Sequence, residues 1–110
     1  MDKSKIGLLL LFSAVLEAGG DAVVRFALHS SNRSSRVLLF AAGAGLLFAY
    51  GYTVNAPPWN FGRLLGLYVV FFFVLAQLIS WLVFRQPPSL AVIIGGAMIS
   101  CGGIVIYAFQ

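Results

Sequence analysis

The sequence predicts an all-α membrane protein with four transmembrane helices. Hydrophobic residues make up 61% of the 110 residues and charged residues only 9%, a balance typical of membrane proteins rather than soluble domains. The chain divides into four apolar runs, each close to the roughly 20 residues that a helix needs to cross a hydrocarbon core about 30 Å thick. The runs lack the alternation of polar and apolar residues that transmembrane β-strands show, so helices are the expected structure.

The four runs account for nearly the whole chain, so we expect a single transmembrane domain over residues 1–110. The predicted spans are residues 6–28, 37–54, 61–84 and 90–109. Two proline pairs, Pro57-Pro58 and Pro87-Pro88, separate the second, third and fourth spans, because proline cannot extend a helix that precedes it. The connections are short, and we therefore expect consecutive helices to be antiparallel and adjacent.

Lysine and arginine residues are balanced across the predicted membrane. One side carries Lys3, Lys5 and Arg63, and the other carries Arg33, Arg36 and Arg85. The positive-inside rule then favours neither orientation. Either the basic residues are too few for the rule to apply, or the chain inserts in both orientations and forms an antiparallel homodimer. The net charge of +4 suits anionic headgroups of the lipid bilayer, and no basic cluster interleaved with aromatic residues predicts nucleic-acid binding.

Three charged residues, Glu17, Asp21 and Arg25, interrupt the first span at helical spacing. Glu17 lies about 17 Å into the predicted helix, near the bilayer midplane. Asp21 and Arg25 have the order that favours a structural ion pair, which leaves Glu17 without a partner in its own chain. Charged groups inside a membrane are costly and usually mark ion or substrate pathways. Glu17 is therefore the leading candidate for a functional residue, and Asp21 the second.

A carboxyl group without a fixed partner can hold either a proton or a cation. Competition between the two predicts proton-coupled exchange, with a cationic small molecule as the second ligand. Because aromatic faces attract organic cations, we expect Tyr68 and Trp81 to lie beside Glu17 and Asp21 in the binding site. The alternative interpretation is a purely internal network of the three charges. That network would belong to a non-transporting accessory or assembly subunit.

Small residues form a stripe on the fourth span, where Gly96, Ser100 and Gly103 follow one another at helical spacing. Such stripes let two helix backbones approach closely in lipid. We predict that this stripe forms the interface of a homodimer, the alternative being packing against another helix of the same chain. The sequence contains no nucleophile and base pair, phosphate-binding loop or metal-ligand cluster, so we expect neither an enzyme nor a cofactor.

Three segments of the chain, in order and at similar spacing, resemble one family of small transporters. They are Ala14-Val15-Leu16-Glu17 with Arg25 eight positions later, Leu78-Ile79-Ser80-Trp81, and the segment from Ile93 to Gly102. With four spans in about 110 residues, the chain resembles the small multidrug resistance family of the drug/metabolite transporter superfamily. The resemblance implies a dual-topology antiparallel homodimer in the inner membrane, with Glu17 of both subunits binding H⁺ or a cationic substrate and the fourth span at the interface.

The chain also departs from that family. Leu65 and Tyr68 stand where the family has a tyrosine and then a tryptophan, and Val70-Phe71-Phe72 replaces a Gly-x-Gly hinge. Asp21 is an addition. These departures affect the expected substrate more than the fold, and leave a drug-like cation, a guanidinium-like ion and a lipid-linked substrate of a flippase subunit as alternatives.

Overall fold

The computed structural model describes residues 2–109, and within that range all regular secondary structure is helical, without strands. The helices are α1 (Lys3–Leu28), α2 (Arg33–Val54), α3 (Phe61–Leu82) and α4 (Leu90–Ala108). All four are long and apolar enough to cross a membrane. The predicted all-α, four-span architecture is confirmed.

The first two helices begin before the predicted spans, because side-chain caps rather than hydrophobicity set their N-terminal ends. The Asp2 carboxylate accepts a hydrogen bond from the backbone N–H of Lys5 at 2.9 Å and so caps α1. The Asn32 side chain accepts from the backbone N–H of Ser34 at 3.0 Å and caps α2. Asparagine and aspartate are favoured caps because they satisfy N–H groups that have no partner within the helix. Half of the polar stretch between the first two spans is therefore helical.

The third helix ends at Leu82, two residues before the predicted end of the span. Arg85 adopts a left-handed backbone conformation (φ 56°), which a helix cannot continue. The backbone N–H of Gln86 then donates to the Ser80 carbonyl at 2.9 Å, and the Ser80 hydroxyl donates to the Gln86 carbonyl at 3.1 Å. The connection to α4 consequently folds back against the end of α3.

The helices form a slab rather than a closed bundle. Helix α1 lies in the middle and packs against α2 on one side and α3 on the other, while α4 packs mainly against α3. The slab measures 50 × 34 × 19 Å. We expected consecutive helices to be adjacent, but α2 and α3 are not, because α1 lies between them. Their contact is limited, and includes the rings of Tyr50 and Tyr68, whose centroids are 5.5 Å apart. Helix α4 occupies one edge of the slab.

Glycine permits the close approach of α1 and α2. A Cβ atom added to Gly43 would lie 2.6 Å from Cγ2 of Val24 and 3.4 Å from the carbonyl oxygen of Gly20, so no side chain fits there. Across the same interface, the buried Ser13 hydroxyl donates to the Thr53 hydroxyl at 2.9 Å. Close packing of small residues and hydrogen bonds between hydroxyl groups hold helices together in lipid, where the hydrophobic effect does not drive helices to associate.

The buried core lies toward the end of the slab at which α1 and α3 begin. It consists of Ile6, Leu10, Ala14, Val54, Leu64 and Tyr68. At this end α1, α2 and α3 are tightly packed. Toward the other end a groove lies between α1 and α3, and it forms the candidate functional site.

Candidate functional site

Glu17 lies on α1 just beyond the last core residue of that helix and is partly buried. The Tyr68 hydroxyl donates a hydrogen bond to Oε1 of Glu17 at 2.8 Å. Tyr68 is only 3% exposed, and its ring lies 5.5 Å from that of Tyr50 and 6.4 Å from that of Phe72. The structure therefore brings together two of the residues predicted for the site. Tyr68 is enclosed by its neighbours, which makes it a positioning group for the carboxyl.

A groove of about 230 Å³ opens between α1 and α3 next to Glu17. The small side chains of three alanines leave the space open, one isoleucine and two phenylalanines form apolar walls, and four polar side chains complete the lining. These residues are Ala18, Ala22, Ala76, Ile79, Phe72, Phe84, Asp21, Arg25, Ser80 and Gln86. Glu17 is not itself one of the lining residues, but Ala18 follows it in sequence and Asp21 lies one helical turn further along α1, so the groove begins within about one turn of Glu17.

The predicted ion pair between Asp21 and Arg25 is not formed; across residues 2–109, no salt bridge involves either side chain. The Arg25 guanidinium carbon instead lies 5.2 Å from the centroid of the Phe84 ring, a cation–π arrangement. The turn after α3 places Phe84 there, where its ring also packs 5.2 Å from that of Phe26. Asp21 is exposed in the groove. Asp21 is therefore accessible to a mobile cation from the groove, one helical turn from Glu17.

Trp81 does not join Glu17, contrary to the prediction. It is 54% exposed and lines a separate groove between α3 and α4 together with Gln77 and Val92. Trp81 follows Tyr68 by thirteen positions, which places it about 140° away around a helix of 3.6 residues per turn. The same count places Phe72 and Ile79 close to the Tyr68 face, so helical spacing could have identified these two lining residues from the sequence.

The small-residue stripe of α4 faces α3 of the same chain. Gly96 and Gly103 are buried, and a Cβ atom at either would overlap a side chain of α3, the Phe73 ring at Gly96 and the Val70 methyl group at Gly103. Ser100 is partly buried between them. The stripe therefore forms an interface within the chain, not the predicted homodimer interface, because α3 offers bulky side chains that fit the two glycine positions.

If Glu17 binds a cation, Tyr68→Phe should weaken that binding while leaving the helices intact. The substitution keeps the packed ring and removes only the hydroxyl that orients the carboxylate. A hydrogen bond to a charged group contributes about 1.5–3 kcal/mol, so affinity should fall roughly 10-fold or more. Calorimetric titration with a cation would measure it. Tyr52→Phe, at a position 75% exposed on α2, is the matched control and should bind as the wild type does. Equal affinities for the two variants would contradict the positioning role.

Comparison with known proteins places the chain in a family. No family model matches the sequence. No solved structure matches it either. A protein of Herpetosiphon aurantiacus described as a UPF0060 membrane protein is 32% identical over 77 residues, which cover 67% of this chain and 70% of that protein. The four membrane-spanning helices and this relationship identify a multi-pass membrane protein, and the chain belongs to the UPF0060 family of membrane proteins.

Proposed function

We propose that this protein is a proton-coupled secondary transporter that exchanges H⁺ for a small or lipophilic cation at Glu17. One observation carries the proposal: within residues 2–109 the Glu17 carboxyl is held by the neutral Tyr68 hydroxyl and by no cationic side chain. An ionised carboxylate away from water is costly unless its charge is balanced. A proton or a mobile cation can supply that balance, and the two compete for the same oxygen atoms.

The groove beside Glu17 supports a cation as the second ligand. Asp21 extends the negative charge one turn toward the groove entrance, and Phe72 and Phe84 present aromatic rings along the walls. Aromatic faces attract organic cations, most strongly where water is excluded. Its volume of about 230 Å³ is below the roughly 300–1,000 Å³ of typical ligand pockets, so the groove of one chain suits a small cation, and a second copy would complete a site for a larger one.

An antiparallel homodimer in the inner membrane would complete the transporter. The groove of one copy would open toward one side of the membrane and that of the other copy toward the opposite side, as inverted repeats allow. The outward face of α4 suits the interface, because Ile94, Met98 and Val105 are exposed there, each by more than half of its surface. Balanced basic residues at the two ends of the helices are compatible with both orientations.

Proton release on cation binding tests this proposal directly. Purified protein in weakly buffered detergent would be titrated with guanidinium and with tetraphenylphosphonium while a pH indicator reports free protons. Exchange predicts saturable acidification, with the same midpoint as cation binding measured by calorimetry. An accessory or assembly subunit predicts no release with either cation. Cation binding without proton release would contradict the coupling.

A further inference from the structure

A second groove, remote from Glu17, opens at the end of the slab where α1 and α3 begin and α4 ends. It has a volume of about 350 Å³ and is bounded by these three helices. Most of its lining is apolar, including Gly7, Phe71 and Ile104. Along α4 it extends from Tyr107 to Ser100, about 10 Å at 1.5 Å per residue. The groove is thus a channel of hydrocarbon character that starts near the membrane surface.

Aromatic rings hold one cation that lines this groove, Lys3, and a second beside it, Arg63. The Lys3 ammonium lies 4.8 Å from the centroid of Tyr107, and the Arg63 guanidinium lies 4.1 Å from the centroid of Trp59. Lys3, Trp59 and Tyr107 all line the groove. Tryptophan and tyrosine are enriched at the depth of lipid headgroups. By this tendency, the two positive charges are expected at the depth of the lipid phosphates.

The Arg63 guanidinium forms no ion pair within residues 2–109, so its charge is open to an anionic ligand. Its Nε–H is buried and unpaired, and the terminal N–H groups are therefore the ones that would contact such a ligand. Guanidinium groups favour phosphate because their N–H donors match phosphate oxygens. Lys5 adds a third positive charge at this end, while the nearby Asp2 carboxylate caps α1. An anionic group is the complementary ligand.

A second copy of the chain cannot supply that anionic group. The sequence contains three acidic residues, of which Asp2 caps α1 and the other two, Glu17 and Asp21, lie in the middle of α1. An antiparallel partner would present the opposite end of its helices on this side of the membrane, and the charged residues of that end, among them Arg33 and Arg36, are basic.

We propose that this groove binds an anionic phospholipid, with its phosphate between Lys3 and Arg63 and one acyl chain along the apolar channel. The groove lies beside the α3–α4 contact at the edge of the slab, so the bound lipid would brace α4 against the rest of the protein. The inference does not depend on transport at Glu17.

Native mass spectrometry with two lipids of the same chain length, phosphatidylglycerol and phosphatidylcholine, tests this site. The wild-type protein should retain phosphatidylglycerol preferentially. In the double variant Lys3→Gln with Arg63→Gln, its affinity should fall about fivefold per charge, roughly 25-fold in total, with little change for phosphatidylcholine. The single variant Lys3→Gln, at an exposed position, should retain the fold and show the smaller loss. Arg33→Gln with Arg36→Gln at the opposite end is the charge control and should change neither lipid.

A groove-filling variant separates a lodged acyl chain from lipid that merely surrounds the protein. A Cβ atom at Gly7 would have no heavy atom within 4 Å, so Gly7→Leu fits sterically and occupies the channel. We expect it to lose phosphatidylglycerol. Gly45→Leu, also in open space but on α2, should not. Equal retention of the two lipids by the wild-type protein would overturn the proposal. So would unaltered binding by Gly7→Leu, or a change confined to oligomeric state, which would identify a second copy as the occupant.

Discussion

Replacing Glu17 by glutamine is expected to abolish cation-dependent proton release while all four helices stay folded. Glutamine has nearly the same size, and its amide oxygen can accept the hydrogen bond that the Tyr68 hydroxyl donates at 2.8 Å in the wild-type protein. The variant cannot release a proton or balance a cationic charge. Removing one partner of a buried charge pair costs about 2 kcal/mol or more, so cation affinity should fall roughly 30-fold or further.

Two matched variants isolate the role of the Glu17 carboxyl. Glu17→Asp retains a carboxyl group and should keep proton release, with altered affinity because the shorter side chain moves away from Tyr68. Asp21→Asn removes the second acid, which is exposed in the groove. Exposed ion pairs contribute about 0.2–1 kcal/mol, so this variant should lose at most about fivefold in affinity and still release protons.

The opposite results would be equally informative. Normal proton release by Glu17→Gln together with its loss in Asp21→Asn would assign the exchange to Asp21. A lower thermal unfolding midpoint in Glu17→Gln, with no cation-dependent release even in the wild-type protein, would favour the structural interpretation of the charged residues on α1. Calorimetry and pH-indicator measurements on the same detergent preparations distinguish these outcomes.

Replacing Gly103 by leucine is expected to separate α4 from α3. A side chain at this position would overlap Val70, and the buried glycine leaves no room for α4 to remain in place. Overpacking of a close interface typically costs about 1–3 kcal/mol, and leucine is far larger than the hydrogen atom it replaces. We expect a clearly lower thermal unfolding midpoint in detergent. Val70→Ala in the Gly103→Leu background should restore part of the loss, because it vacates the overlapping volume.

The neighbouring residue Gly102 provides the control and also tests the homodimer. A Cβ atom at Gly102 has nothing within 4 Å, so Gly102→Leu should leave the thermal unfolding of the single chain unchanged. Cys101 is exposed beside it and can be used for crosslinking. If copies associate through this outward face, crosslinking through Cys101 should occur in the wild-type protein and decrease in Gly102→Leu. Equal destabilisation by Gly102→Leu and Gly103→Leu would contradict the packing of α4 on α3.

The sequence alone predicted the four helices and the position of Glu17 near the middle of the first of them. Both depend on local properties: the length of an apolar run against the thickness of hydrocarbon, and the high cost of a charge within it. It also selected Tyr68, whose hydroxyl reaches Glu17. The helix ends were less accurate, because Asn32 and the backbone conformation of Arg85 determine them.

The rotation of each helix about its own axis could not be predicted from the sequence. In a soluble protein the apolar face identifies the side that packs inward, but a helix that is apolar all round in lipid carries no such pattern. The direction in which Gly96 and Gly103 face therefore depends on the bulky residues of α3. The separation of Trp81 from Glu17 depends on the packing of α3 against both α1 and α4. The Arg25 guanidinium lies on Phe84 instead of beside Asp21 because the turn after α3 brings that ring across. The hydrophobicity and length of each apolar run are local properties that the sequence shows directly. The side of a helix that packs against its neighbour depends instead on residues distant in sequence.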